Sequence, residues 1–112
     1  MRKNKENKKQ RKNISDQRIV YNLLSRIYKA LKNNQPISFK KLRDCQGEYD
    51  CYCDEIILDY RKEILPTLIH EFIHKFHPTK SESWVEGRER FVMRRISPYQ
   101  AKRLITLLSY NI

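Results

Sequence analysis

The sequence predicts an α+β fold in a single domain, and three observations support that prediction. The chain has 112 residues, of which 39% are hydrophobic, so it can build one modest core but not two. Apolar residues recur every three or four positions over residues 19–31 and again after residue 66, as in helices with one buried face. Between these stretches, residues 37–60 alternate roughly with the period of two that is typical of strands. We therefore expect an N-terminal helix, a small β-ribbon or sheet, and three further helices.

The chain begins with a strongly basic segment. Residues 1–13 contain seven Lys or Arg and one Glu, a net charge of +6 out of +11 for the whole chain. Because such a segment has almost no apolar surface to bury, residues 1–14 are predicted to form a disordered tail that contacts polyanions non-specifically. The apolar stretch of a secretory signal peptide does not follow it, and no apolar run reaches the ~20 residues that span a bilayer. We therefore expect a cytoplasmic protein without membrane contact.

Residues 15–112 form the predicted folded domain, and local signals mark its first elements. Ser15 and Asp16 are suited to cap the first helix, and Pro36 follows its end. Glu55–Tyr60 is the clearest strand of the ribbon, which is expected to contain two or three strands.

Three helices follow the ribbon. Pro66 suits the first turn of a helix that runs to about His77. Thr79 and Glu82 have the spacing of a capping box, which predicts a second helix reaching Ile96. Another capping box, Ser97–Gln100, opens the last helix.

The helix after the ribbon contains the pattern H-E-x-x-H. His70 and His74 are four residues apart, about 400° around a helix, so both imidazoles can reach one metal ion. Glu71 is offset by about 100° and can contact a metal-bound water without being a ligand. Two neutral imidazoles, a carboxylate and one open position suit zinc, which lowers the pKa of its water to about 7. The pattern therefore predicts a zinc site with Glu71 as general base, against the alternative that it arose by chance on a solvated face.

A third ligand is expected from the next helix, and the residues leave the choice open. On a helical wheel, Glu82 and Glu89 both border the buried side of that helix, whereas Glu86 lies farther out. A carboxylate at such a border is costly without a partner, and a metal ion would compensate it. Glu82 is close in sequence to His74, but it could instead serve only in the capping box that begins at Thr79.

His70–Glu71–x–x–His74 followed by a glutamate on the next helix resembles the gluzincin clan of zinc metallopeptidases. Size and element order are similar to the minigluzincins, a minimal zincin-like form, over about residues 37–96. Glu82–Ser83–Trp84–Val85–Glu86 resembles the pattern of the gluzincin glutamate helix, so the resemblance favours Glu82 over Glu89 as the third ligand. It implies a hydrolase with Zn²⁺ held by His70, His74 and Glu82.

The resemblance carries three further expectations. In such peptidases the strand before the active helix is an edge strand that binds the substrate as an added strand, here a segment between Asp50 and Tyr60. No residue clearly matches the side chain that steadies the oxyanion in larger gluzincins; His77 and Tyr99 are the only candidates. Minigluzincins are self-inhibited, so the chain is expected to be a latent zymogen-like form, with Asn111 or the Ile112 carboxylate reaching the zinc position. Alternatively, the last helix only covers the small core.

Cys45, Cys51 and Cys53 match no common structural-zinc spacing. They are predicted to be reduced thiols in or beside the ribbon. A disulfide, or a thiolate that occupies the open zinc position, are the alternatives.

The sequence therefore predicts a zinc-dependent endopeptidase that acts on a peptide or protein substrate, with Glu71 moving the proton. An alternative is a zinc-stabilised, nucleic-acid-associated binding protein in which the basic tail does the binding. A SprT-like protease acting at DNA would combine the two. The oligomeric state, monomer or homodimer, stays open.

Overall fold

The computed structural model describes residues 2–111, with side chains from residue 14 onward. It contains four helices and a three-stranded sheet in one globule, which confirms the predicted α+β class. In chain order these elements are α1 (Arg2–Lys32), β1 (Ile37–Lys40), β2 (Gly47–Asp50), β3 (Glu55–Asp59), α2 (Ile64–Phe76), α3 (Glu82–Arg95) and α4 (Pro98–Ser109). The backbone of residues 2–14, part of the segment predicted to be a disordered tail, is helical and forms the first part of α1. That this segment contacts polyanions stays a prediction.

The first helix does not begin where the sequence pattern suggested. Ser15 and Asp16 lie inside α1 and cap nothing, because helical backbone continues on both sides of them. The Asp16 carboxylate instead pairs with Arg95 on α3 at 3.3 Å. A capping signal is only a local preference, and here the chain continues the helix through it.

The sheet has the order β1-β3-β2, with β3 parallel to β1 and antiparallel to β2. The expectation of an edge strand between Asp50 and Tyr60 is therefore wrong, because β3 is the central strand. Its run of consecutive buried residues, Ile56, Ile57 and Leu58, is typical of a strand covered on both faces. The edge strand beside α2 is β2.

The core lies between the sheet and the helices. Helix α2 buries Leu68, Ile69, Phe72 and Ile73 completely, so its opposite face is free to carry polar groups. Helix α4 packs mainly against α1, and it begins with the predicted capping box of Ser97 and Gln100. Among the residues described, no helix combines the length and the apolar character needed to cross a membrane.

Candidate metal centre

The polar face of α2 presents the two histidines of the H-E-x-x-H pattern. His70 and His74 lie one helical turn apart, and their ring centroids are 4.9 Å from each other. His70 is the more enclosed, with 14% of its side chain exposed against 27% for His74. The four buried apolar residues of α2 fix the rotation of the helix and so direct both imidazoles toward α3.

Glu82 lies opposite both histidines. One carboxylate oxygen is 2.7 Å from Nε2 of His70, and the other is 2.7 Å from Nε2 of His74. Donor atoms from these three residues all lie within 4.8 Å of one another, so the group could hold a metal ion. When a metal ion binds four ligands tetrahedrally with bonds of ~2.0–2.2 Å, the ligand atoms are about 3.3 Å from one another. A small outward shift of the Glu82 carboxylate would therefore make room for a metal ion.

Ser81, not Thr79, caps α3. The Ser81 hydroxyl accepts a hydrogen bond from the backbone N–H of Trp84 at 3.2 Å. Glu82 is therefore the first residue of the helix and not the third position of a capping box. This geometry leaves its carboxylate free to face the histidines.

Glu89 contacts the same histidine from its other side. Its carboxylate lies 3.0 Å from Nδ1 of His70, whereas Glu82 faces Nε2. When Nδ1 donates its proton to Glu89, the lone pair of Nε2 is directed at the metal position. Glu89 therefore does not join the group of candidate ligands but orients one of its members.

Glu71 is the buried carboxylate of the site. It is 6% exposed, and its side chain has no hydrogen-bond partner among the described residues. Burial raises the pKa of Glu71 to about 7, while His70 opposes the rise and Glu82 adds to it. A cation held by the neighbouring ligands would lower this pKa by attraction and so favour the carboxylate, the form that can accept a proton.

Comparison with known proteins finds no counterpart for the chain. No protein-family model matches it, and neither does any curated protein or solved structure. The resemblance to minigluzincins thus stays a prediction that depends on His70, Glu71, His74 and Glu82.

These side chains line a cleft of about 480 Å³ between α2, α3 and the start of β2. The full set of lining residues is Cys45, Gln46, Gly47, Thr67, His70, Glu71, His74, Glu82, Glu86 and Glu89. The backbone N–H of Asp59 donates to the carbonyl of Gln46 at 2.9 Å. Because bonded pairs alternate along an antiparallel ladder, the peptide groups of Gly47 and Tyr49 face the free edge of β2.

Gly47 allows β2 to lie close to α2, a contact that the sequence analysis missed. A Cβ at this position would be 2.4 Å from Cγ2 of Thr67 and 3.2 Å from Cγ of Glu71. Only a residue without a side chain permits this approach. The only hint in the sequence was the scarcity of glycine: with 2 glycines in the chain, each is a candidate for a position where a side chain does not fit.

Two predicted oxyanion candidates are not part of the cleft. His77 lies beside Trp84 with ring centroids 5.0 Å apart, and Tyr99 is 72% exposed at the start of α4. Neither lines the cleft among the residues described. Asn111 does not line it either, and Ile112 lies outside the described residues, so latency through the C-terminus stays a prediction.

The three cysteines are free and exposed in the structure. Cys45 lines the cleft, and burial followed by the charges of Glu48 and Glu71 raises the pKa of its thiol. The raised pKa favours the neutral thiol over the thiolate that binds metal. Among the described residues, Cys45 does not belong to the group that could hold an ion.

Proposed function

We propose that this protein is a zinc-dependent endopeptidase, with His70, His74 and Glu82 as metal ligands and Glu71 as the group that moves the proton. The observation that carries the proposal is the position of Glu71. Glu71 is only 6% exposed, its carboxylate forms no hydrogen bond among the described residues, and it lines the cleft beside two histidines and a glutamate. Burying such a group is costly, and proton transfer at the cleft is a function that explains the cost.

The donor set supports zinc as the metal. Two imidazole nitrogens and one carboxylate oxygen are borderline ligands that suit zinc, and three protein ligands leave a position open for water or substrate. Zinc bound here would acidify a water and polarise the carbonyl of a peptide bond. Helix α2 and the first residue of α3 supply all three ligands, so folding brings the donors together.

The residues of the chain then divide the remaining tasks. Glu71 accepts a proton from the attacking water and later gives it to the departing amine, a role that begins from the carboxylate form, which a bound cation favours. Glu89 positions His70 through its bond to Nδ1. The peptide groups of Gly47 and Tyr49 offer a free strand edge beside the cleft, along which an extended substrate could add as a strand.

The predicted alternative, a nucleic-acid-associated protein with structural zinc, fits this group less well. Structural zinc sites are normally closed by four protein ligands. Within residues 14–111 the group contains three candidate ligand residues. An open position favours catalysis over a purely structural role.

Metal analysis combined with casein cleavage tests the proposal. Wild-type protein, with and without residues 110–112 to allow for latency, is compared with Glu71→Gln in both backgrounds. We expect one zinc per chain throughout, cleavage in the active wild-type form, and a loss of about 10²–10⁴-fold for Glu71→Gln. Glu86→Gln is the matched control, because Glu86 lines the same cleft without bonding either histidine.

Two outcomes would contradict the proposal. If zinc-loaded protein cleaves nothing in either form, the site is not that of a peptidase. If Glu71→Gln also loses its zinc, Glu71 is a ligand, and the assigned roles are wrong.

A further inference from the structure

A second concave site lies between α1, the end of α2 and α3, and we call it the cationic pocket. It is a depression of about 250 Å³. Its lining residues are Ile19, Asn22, Leu23, Arg26, His77 and Arg88. Two arginines and a histidine face this depression, and no carboxylate lines it among the described residues.

Both arginines of the cationic pocket are held in place but lack partners for their charge. The guanidinium of Arg26 lies 3.9 Å from the ring centre of Phe76, and that of Arg88 lies 4.9 Å from the ring centre of Trp84. Within residues 14–111 neither guanidinium forms an ion pair or a hydrogen bond, whereas Arg61 and Arg95 each pair with an aspartate. Their donor groups are therefore free to bind an anion.

The imidazole of His77 lies among several cations, since Arg26 and Arg88 line the same depression. Its pKa is lowered mainly by burial, and further by the positive charges of Arg26, Arg88 and Lys80. Three cations gathered around one imidazole repel one another. An oxyanion between them would relieve that repulsion and accept hydrogen bonds from both guanidinium groups.

A second depression of about 250 Å³ adjoins the cationic pocket and shares Arg88 with it. Its lining includes the aromatic rings of Trp84 and Phe91. Unpaired bases stack on such rings and on guanidinium planes, whereas bases in a duplex are already stacked on their neighbours. A phosphate site beside an aromatic surface is therefore suited to single-stranded nucleic acid.

The charge of the chain agrees with this assignment. The net charge is +11, and residues 1–13, which precede the pocket-lining part of α1, contribute +6 of it. Such an excess attracts a polyanion through counterion release, without selecting a sequence. A polymer with repeated phosphates would engage the pocket and this basic segment at the same time.

We propose that the cationic pocket binds a phosphate group of single-stranded nucleic acid, with an adjacent base on Trp84 and Phe91. Trp84 lies about 160° around α3 from Glu82, so this surface and the metal centre occupy different sides of the helix. The proposal is thus independent of the peptidase function, and both activities could reside in one chain.

Fluorescence anisotropy of a labelled twelve-nucleotide oligothymidine, titrated with the full-length chain, tests the proposal. Trp84 is the only tryptophan of the chain, so quenching of its emission reports base stacking directly. We expect Arg88→Gln and Arg26→Gln each to weaken binding at least fivefold at low salt and to flatten the salt dependence.

Arg90→Gln is the matched control. It removes the same charge from the same helix, at an exposed position about 160° around α3 from Arg88. We expect a change of less than twofold. The two pocket variants lie on different helices, and circular dichroism and thermal unfolding of each variant show whether it folds.

The proposal would be overturned if folded Arg88→Gln and Arg26→Gln bind as well as Arg90→Gln, since the basic segment alone would then explain the affinity. Binding without any change in Trp84 emission would exclude the stacking surface. A serine-phosphorylated peptide that quenches Trp84 at lower concentration than the oligothymidine would assign the pocket to phosphoproteins instead.

Discussion

The two glycines of the chain provide a matched test of the structure, because they lie in opposite environments. Gly47 is where β2 meets α2, and a Cβ there would lie 2.4 Å from Cγ2 of Thr67. Gly87 is inside α3, and a Cβ there would have nothing within 4 Å. The same substitution, glycine to alanine, should therefore change stability in opposite directions.

The magnitudes follow from these distances. An ordinary carbon contact is about 3.5–4.0 Å, so at Gly47 the neighbours must separate by roughly 1 Å or more. Thr67 cannot rotate away freely, because its hydroxyl donates to the carbonyl of Glu63 at 2.6 Å. Overpacking of this kind costs about 1–3 kcal/mol. In Gly87→Ala the helix instead gains about 1 kcal/mol, because alanine loses less backbone entropy than glycine on folding.

Thermal and urea unfolding of both variants measure the effect. For a domain of this size, 1 kcal/mol corresponds to roughly 4 °C in Tm. We expect Gly47→Ala to lower Tm by about 4–12 °C and Gly87→Ala to raise it by about 4 °C. If Gly47→Ala stays within about 0.5 kcal/mol of the wild type, β2 does not lie against α2 as described, and the position of the cleft wall is wrong.

Three further predictions concern the site and the sheet. We expect Glu89→Gln to weaken zinc binding about 10–100-fold, and Glu82→Gln to weaken it further, because Glu82 is a ligand and Glu89 only orients one. If calorimetric titration gives the reverse order, Glu89 is the ligand and Glu82 the orienting residue. The Arg61 guanidinium holds the pKa of Asp59 well below its usual range, so the Asp59 carboxylate stabilises the fold above pH ~4 and less as pH falls. The difference in urea midpoint between wild type and Asp59→Asn should therefore be largest near neutrality and shrink in acid; a difference independent of pH would contradict the ion pair. Deleting residues 110–112 should leave Tm unchanged and raise casein cleavage, and an unchanged Tm with equal cleavage would exclude latency through the C-terminus.

The sequence alone was sufficient for features that depend on neighbours along the chain. The one-turn spacing of His70 and His74 and the apolar stripe beneath them follow from the helical repeat. The same repeat places Glu82 and Glu89 on the buried border of their helix. The α+β class follows from the change of period between residues 37 and 60.

Tertiary structure decided which glutamate does what. Both carboxylates reach His70, but the packing of α3 against α2 brings Glu82 to Nε2 and Glu89 to Nδ1. A helical wheel reports the direction of a side chain around one axis and contains nothing about the distance or crossing of a second helix. Ligand and orienting residue therefore looked equivalent in the sequence.

Tertiary structure also decided the strand order. Because β3 pairs with β1 on one side and β2 on the other, the strand nearest in sequence to α2 is central, and the edge beside the cleft belongs to β2. The close approach at Gly47 depends on the same arrangement. Strand pairing joins residues that are distant in sequence, and its free energy depends on which surfaces the whole fold buries together, so local patterns cannot specify it.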